Sequence, residues 1–453
     1  VLFGGVAMEI GSKKRVAFYT LGCKVNQYDT HAMMEQFVDS GYEIVDFDEY
    51  AHVYIVNTCT VTNLSDRKSR QMLRKAHGKN PNAIIGAVGC YAQREADTLF
   101  AIPGIKLVLG SRDRHNIVDY IDRIDKTGLP INGVSDVMKE RMFEETPISS
   151  YSERTRAVIK VQEGCNQFCT YCIIPYARGP IRSRDPEYVV EEVGRLVEAG
   201  FKEVVLTGIH ITSYGRDRHD MDLMDLIRAI HNIDGLERIR LGSLEPTYID
   251  RRFIDVFMSL PKLCPHFHIS LQSGSDSTLK RMGRRYTAYE YGEIVETLRR
   301  ADQDVAITTD VMVGFPGETD REFDETYKFV KKMAFSKIHV FKYSPRERTP
   351  AARFKNQVPS KVKQERSDML ITLGDKMEQQ FMNRFLGKEE RVLFEQRVSM
   401  DGDMYEGYTD NYIKVMARSD IDIQNKLLPV ILDKVGDGVL FGSIKGNSKK
   451  EGF

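Results

Sequence analysis

The chain has 453 residues, 42% of them hydrophobic, with 65 basic and 65 acidic side chains and a formal net charge of zero. That length exceeds one ordinary core and implies two or three domains, while the balanced charge argues against binding nucleic acid by bulk charge and leaves that task to local patches. No apolar run approaches the roughly 20 residues that span a bilayer, and no charged start followed by an apolar centre marks a signal peptide, so a cytoplasmic protein with no membrane attachment is expected.

Residues 1–7, ahead of Met8, read as a remnant of expression that takes no part in the fold. The first third then alternates strand and helix. Residues 15–20 read as a strand ending at Gly22-Cys23, 30–40 as a helix, 53–57 as a buried strand leading into Thr58-Cys59, and 83–88 as another leading into Gly89-Cys90. Each cysteine therefore follows the carboxyl end of a strand. In an open α/β sheet those ends share one edge, where ligands bind, so three thiolates about 30 positions apart are placed to converge on an iron–sulfur cluster; three unrelated buried cysteines are the other reading. Asn26 and Asn57 are candidates for hydrogen bonds to sulfur, or simply turn residues. Between the second and third cysteines, Arg67, Lys68, Arg70, Arg74, Lys75 and Lys79 have helical spacing and only Asp66 as an early acid, which makes either an RNA-facing stripe or a solvated face.

A mixed linker over 138–154, with Pro147 and Ser149-Ser150, leads to six alternations of strand and helix whose strands are placed at 157–161, 203–208, 238–242, 267–271, 306–313 and 337–341. This pattern predicts a partial or full parallel barrel with its active site at the carboxyl ends of the strands. The loop after the first of them reads Cys165-Asn-Gln-Phe-Cys169-Thr-Tyr-Cys172. Three thiolates at that spacing hold three irons of a cubane cluster and leave the fourth open; a structural zinc needs a fourth ligand, and no Cys or His stands at a matching offset. Gly208, Ser243, Glu245 and Gln272 lie at other strand ends, as do the glycines of Gly314-Phe-Pro-Gly317-Glu318. Each is a candidate cofactor contact or an ordinary turn residue. Arg178, Arg182 and Arg184 form a second basic group, and Lys342, Arg346, Arg348, Arg353 and Lys355 a third, each with a solvated face as the plainer reading. Cys264, the seventh cysteine, reads as a packed small apolar residue. From about 388 the pattern turns to short strands, such as 390–396 and 411–415, with turn glycines including Gly402; it predicts a small β-barrel, either an oligonucleotide-binding module or a cap without a ligand.

The CxxxCxxC run, with Tyr171 before its last cysteine, resembles that of the radical S-adenosylmethionine (SAM) enzymes. Together with Tyr19-Thr-Leu-Gly-Cys23-Lys-Val-Asn26, Asn57-Thr-Cys59-Thr and Gly89-Cys90-Tyr-Ala-Gln, it resembles the radical SAM methylthiotransferases from about residue 15 to residue 443. The resemblance implies an N-terminal methylthiotransferase domain over 8–140 carrying an auxiliary cluster, a radical SAM domain over 150–387, and a C-terminal TRAM RNA-binding domain over 388–447. Three branches act on isopentenyladenosine in tRNA, on threonylcarbamoyladenosine in tRNA, or on a ribosomal-protein aspartate. Leu21-Gly-Cys-Lys-Val-Asn26, Leu206-Thr-Gly-Ile-His210 and His266-Phe-His-Ile-Ser-Leu-Gln-Ser-Gly274 are similar to the threonylcarbamoyladenosine branch.

The resemblance further implies a tRNA methylthiotransferase with two 4Fe–4S clusters, one on Cys23, Cys59 and Cys90 and one on Cys165, Cys169 and Cys172, and two SAM per turnover. One SAM donates a methyl group to sulfur; a second is cleaved to a 5′-deoxyadenosyl radical that takes hydrogen from C2 of the target adenine. Tyr171, Gly208, Ser243, Glu245 and Gln272 are then the expected SAM contacts. Arg67, Arg70, Arg74, Arg346 and Arg348 are the expected phosphate grips around an unstacked anticodon-loop base, since a base inside a stem is out of reach. A sulfur donor and an electron donor such as flavodoxin or ferredoxin are the further partners. A non-catalytic iron–sulfur RNA-binding protein is the rival of another class; it would bind tRNA and never cleave SAM.

Overall fold

The structure, a computed structural model, describes residues 13–146, 148, 155–398 and 403–445. Residues 1–8, Pro147, Ser149, Ser150, Gly402 and the last two residues of the expected TRAM segment lie outside the described residues. The described residues form two compact units; 176–179 belongs with 13–140, 144–146 and 148 in the first, and the other described residues form the second.

The first unit runs β1 (Arg15–Thr20), α1 (Lys24–Asp39), β2 (Glu43–Val45), β3 (Val53–Thr58), α2 (Asn63–Lys79), β4 (Ile84–Gly89), α3 (Cys90–Arg94), α4 (Ala96–Phe100), β5 (Ile105–Val108), α5 (Ile117–Thr127) and β6 (Ile131–Asn132). Its strands form one sheet in the order β2-β1-β3-β4-β5-β6, every pair parallel. The central strands VYIVNT and IIGAVG are buried throughout, as expected for parallel strands covered on both faces. Alternate residues serve opposite cores: Ala17, Tyr54, Val56 and Ile85 pack with Leu73 of α2, whereas Val16, Val53, Ile55 and Ile84 pack with Phe37 of α1 and Ile121 of α5. Helix α1 starts at Lys24, earlier than the expected residue 30, with Cys23 as its extended N-cap. Its first turns hide from apolar periodicity because Asn26 and Asp29 are among the side chains they bury.

The second unit continues with β7 (Arg156–Glu163), α6 (Ile174–Arg178, whose last residues belong to the first unit), β8 (Arg182–Ser183), α7 (Pro186–Glu198), β9 (Glu203–Gly208), α8 (Leu223–His231), β10 (Arg238–Leu241), α9 (Arg251–Ser259), β11 (His266–His268), α10 (Asp276–Met282), α11 (Ala288–Ala301), β12 (Ala306–Val313), α12 (Asp320–Met333), β13 (Lys337–Lys342) and α13 (Ser360–Asn383). Two sheets, β10-β9-β7-β8 and β11-β12-β13, are joined by the parallel bridges Ile239–Leu263 and Leu244–Ile269. The six expected strands thus follow one another as an open, partial barrel. Strand β8 has no counterpart in the sequence pattern; it is two residues long and antiparallel to β7. Capping boxes at Asp222/Asp225, Thr287/Glu290 and Thr319/Glu322 open α8, α11 and α12, each satisfying two backbone N–H groups that a helix start leaves over.

The strands β14 (Glu389–Arg397), β15 (Met404–Thr409), β16 (Lys414–Arg418), β17 (Leu427–Val435) and β18 (Leu440–Ile444) close into a barrel in the order β14-β15-β16-β18-β17. The strand expected at 411–415 begins only at Lys414, after a turn in which Tyr412 has a positive φ of 69°. Phe381 and Phe385 share the core of Phe394, Tyr405, Val415 and Leu432. Arginines fix the turn: Arg238 donates to the carbonyls of Tyr408 at 2.9 Å and Arg391 at 2.5 Å, Arg240 donates to that of Asp410 at 3.0 Å, and the Arg156 guanidinium lies 4.8 Å from the Tyr408 ring centre. Cys264 is buried, as a packed apolar residue should be. No helix among the described residues is long and apolar enough to cross a membrane.

Candidate active site

The first triad stands where the sheet topology puts it. Cys59 and Cys90 directly follow β3 and β4, and Cys23 lies three residues after β1. Two glycines make this edge possible. Gly22 has φ +105°, and a Cβ there would lie 3.2 Å from Cys59 Sγ; Gly89 has φ +94°, and a Cβ would meet Asn57 Oδ1 at 2.4 Å. Only glycine lets the backbone come this close in that conformation. Cys59 and Cys90 are buried and Cys23 is exposed, so the site is closed on one side and open on the other. Burial pushes the Cys90 thiol up to about 12 and raises that of Cys59; such thiols ionise when a metal takes the place of the proton.

Asn26 and Asn57 do not bond to sulfur. Asn26 Nδ2 donates to the carbonyls of Leu21 at 2.7 Å and Thr58 at 3.1 Å, tying the β1 and β3 loops together, and Asn57 Nδ2 donates to Asn26 O at 2.9 Å. Arg178 does reach sulfur, its Nε donating to Cys90 Sγ at 3.0 Å, while the Val61 backbone and the Ser65 side chain bond to Cys59. Read in the sequence as part of a basic surface group, Arg178, Arg182 and Arg184 are instead among the largest fully buried side chains, and Arg184 pairs with buried Glu192 at 2.6 Å. A run of arginines shows charge but not direction; the closeness of Arg178 to Cys172 is the one available signal.

The second triad lies on the loop between β7 and α6. Gly164 and Phe168 have positive φ, 73° and 49°, which folds the loop back on itself: Gln167 N donates to Cys165 Sγ at 3.4 Å and Cys172 N to Cys169 O at 2.9 Å. Thr170 anchors it, donating to Met282 O from its backbone and to Arg281 O from its hydroxyl. Burial pushes Cys165 up to about 11 and Cys172 up to about 12. No three Cys, His, Asp or Glu side chains among the described residues are gathered around a single-ion site; three thiols on one loop, with no fourth protein ligand, are the donor set of a cubane with an open iron.

Around this loop the strand ends supply charge and unmet polar atoms. Glu245 receives both Arg284 Nη2 contacts, at 2.9 and 2.8 Å, and Arg284 Nη1 stands 3.5 Å from Cys169 Sγ. Burial alone would raise the Glu245 carboxyl, but His210 and Arg284 outweigh it and hold it below the usual range. His210 Nε2 lies 3.7 Å from Glu245, buried and without a hydrogen bond, as are Glu318 Oε1 and Tyr343 Oη past the ends of β12 and β13. Such atoms in a mouth of strand ends fit a polar ligand. His210 closes the Leu206-Thr-Gly-Ile-His210 motif but is not among the expected SAM contacts, and Arg284 carries no sequence signal of its own.

The other expected contacts divide. Gly208 faces Gln162, whose Oε1 accepts from His210 N at 2.7 Å; Ser243 is exposed at its strand end; Gln272 holds φ +65°, a strained state for a non-glycine residue of the kind that gathers at functional sites. Tyr171 packs edge-on against Phe315, ring centres 6.4 Å apart. Among the arginines, Arg67 and Arg74 are exposed on α2, Arg70 donates to Tyr91 Oη at 2.6 Å, Arg348 is exposed, and Arg346 is only 7% exposed and so is not on an open surface as expected. A polar cleft of about 350 Å³ adjoins the cysteine loop, lined by Asn166, Gln167, Ile181, Arg216, Asp217 and Arg285.

Residues 159–330 match the Radical SAM superfamily and residues 15–110 match Uncharacterized protein family UPF0004. The threonylcarbamoyladenosine tRNA methylthiotransferase MtaB of Bacillus subtilis is 45% identical over 93% of this chain and 94% of its own. The tRNA-2-methylthio-N(6)-dimethylallyladenosine synthase of Pelotomaculum thermopropionicum is 33% identical over 97% and 99%. Among solved structures, the radical S-adenosylmethionine methyltransferase TsrM of Kitasatospora setae, with cobalamin and a [4Fe-4S] cluster bound, superposes with a TM-score of 0.57 at 16% identity, covering 75% of this chain and 77% of that one, which shows a shared fold. With identity of this level running along nearly all of both sequences, the chain belongs to the radical SAM tRNA methylthiotransferase family.

Proposed function

We propose that this protein transfers a methylthio group to C2 of N6-threonylcarbamoyladenosine at position 37 of tRNA, with two 4Fe–4S clusters and two SAM per turnover. The observation that carries the reading is the pair of cysteine triads, each at strand ends and each with a basic side chain directed at one sulfur. The branch is supported by the higher identity to the protein named for threonylcarbamoyladenosine than to the one named for dimethylallyladenosine.

Bound in these places, SAM and the clusters supply one-electron cleavage and sulfur chemistry, and the protein supplies binding, orientation and exclusion of water. Cys23, Cys59 and Cys90 hold one cluster and Cys165, Cys169 and Cys172 the other. Glu245 and His210 offer a carboxylate and a ring nitrogen to SAM's polar end, with Gly208, Ser243, Gln272 and Tyr171 around it. No acid–base pair is needed, because a C–H bond of an adenine ring does not yield to side-chain bases. The cleft with Arg216 and Arg285 holds phosphates flanking an unstacked loop nucleotide beside the cysteine loop; Arg67 and Arg74 grip tRNA farther along its backbone. The closed barrel is the TRAM module, adding RNA affinity, and residues 8–140, 150–387 and 388–447 act as the three domains. The reaction draws on a cytoplasmic electron donor such as flavodoxin or ferredoxin and on a sulfur donor.

The test is mass spectrometry of tRNA nucleosides after anaerobic incubation of reconstituted protein with SAM, reductant and tRNA carrying threonylcarbamoyladenosine. The 2-methylthio derivative is expected, and is lost in C169A. SAM cleavage with that nucleoside unmodified would refute the substrate; modification of a dimethylallyladenosine tRNA instead would move the protein to the other branch.

A further inference from the structure

Arg178 lies six positions after Cys172 in the chain, yet its side chain belongs to the first unit and is 0% exposed. Each of its nitrogens is directed at a named acceptor. Nε donates to Cys90 Sγ at 3.0 Å, Nη1 to Asp29 Oδ2 at 3.1 Å, and Nη2 to Asn26 Oδ1. Asn26 is in turn held by its two bonds to the β1 and β3 loops. The guanidinium is therefore fixed by a planar fork of contacts, as a lysine ammonium would not be.

The charges around it decide what it can do. Asp29, 2% exposed, also accepts from Arg114 Nη1, and Arg114 reaches Glu144 at 3.4 Å. Glu144 in turn faces His115 at 2.8 Å. One carboxylate is thus shared between two buried arginines, and the Nε edge of Arg178 is turned to Cys90. A buried cation is costly unless anionic groups surround it, and three thiolates bound to iron are an anionic group that its position matches. Hydrogen bonds to cluster sulfurs and local positive charge both stabilise the reduced, more negative state of a cluster.

We propose that Arg178 is a positioning residue for the first cluster, fixing the Cys90 sulfur through Nε–H···S and raising that cluster's reduction potential. The peptide carrying the second triad thereby also furnishes the cation of the first. The inference rests on the reading that Cys23, Cys59 and Cys90 hold a cluster.

The test is a redox titration followed by electron paramagnetic resonance on full-length reconstituted protein in a C165A/C169A/C172A background, so that only the first cluster contributes. R178Q is expected to lower the potential by at least about 59 mV, a tenfold change in the reduced-to-oxidised ratio for one electron, and R178K to lower it by less, since it keeps charge but not the fork. A parental potential in both variants, or in R178K alone should R178Q lose its fold, overturns the proposal. Absence of iron from the background protein itself would instead sink the cluster reading beneath it.

Discussion

Replacing Glu203 by glutamine tests how the barrel is held to the strands that carry the candidate site. Glu203 opens β9 with no side-chain exposure and faces three arginines: Arg240 at 2.8 Å, Arg238 at 3.6 Å and Arg156 at 4.0 Å. Arg238 retains a second carboxylate in Asp410 and Arg156 one in Glu395, so the loss falls on Arg240, which is itself fully buried and keeps the carbonyls of Thr409 and Asp410. Removing one member of a buried pair costs about 3–5 kcal/mol; glutamine preserves one acceptor, which puts E203Q near the lower end, about 3 kcal/mol. Amide hydrogen exchange reads this locally: the peptide over 405–413 should exchange roughly 100-fold faster, each 1.4 kcal/mol being about tenfold. Burial alone would raise the Glu203 carboxyl, but Arg240, Arg156 and Arg238 hold it below the usual range. Its contribution is therefore full above the unfolded value of about 4.3 and is lost as pH falls through the lower folded value, so the parent should keep its protection at pH 5 and E203Q should show little of this acid dependence. An increase in exchange of less than about tenfold would refute the reasoning and leave the apolar contact of Phe381 and Phe385 as what holds the barrel.

Three further outcomes are expected. E245Q strips the charged acceptor from Arg284, whose side chain is 7% exposed; a loss of about 1.5–3 kcal/mol predicts reductive SAM cleavage slowed roughly 10- to 100-fold at unchanged iron content, and unchanged cleavage would take Glu245 out of the site. C59S should reduce iron and sulfide in reconstituted protein to roughly half, read by elemental analysis; full content would mean that the first triad holds no cluster. R67E/R74E should weaken tRNA binding and reduce the slope of log K against log salt by roughly 1–2, while tRNA-independent SAM cleavage stays as in the parent; a parental slope would remove α2 from the RNA surface.

The strand ends are legible because buried parallel strands must be apolar along their whole length, and β1, β3, β4, β9 and β12 lie within a residue or two of the bounds their pattern predicts. The placement of Cys23, Cys59 and Cys90 is legible for a related reason, since a thiol just past such a strand has a topologically assigned edge, whereas Cys165, Cys169 and Cys172 stand out by their spacing on one loop. Less is readable where polar groups are buried. Helix α1 reads as starting late because its buried face begins with Val25 and then the polar Asn26 and Asp29, and 411–415 reads as a strand because its alternation gives no sign of the positive φ at Tyr412.

The sequence by itself thus determined the alternating α/β pattern, the closing β segment, the two triads and, through its motifs, the family, since each depends on local order and spacing. Only the tertiary structure decided which arginines face solvent and which face sulfur or carboxylate. Arg67 and Arg178 are the same residue type in similarly basic stretches, yet one lies exposed on α2 and the other is buried against Cys90. A side chain's partner is set by what the fold brings opposite it, often more than a hundred positions away, and a one-dimensional pattern carries no record of that distance.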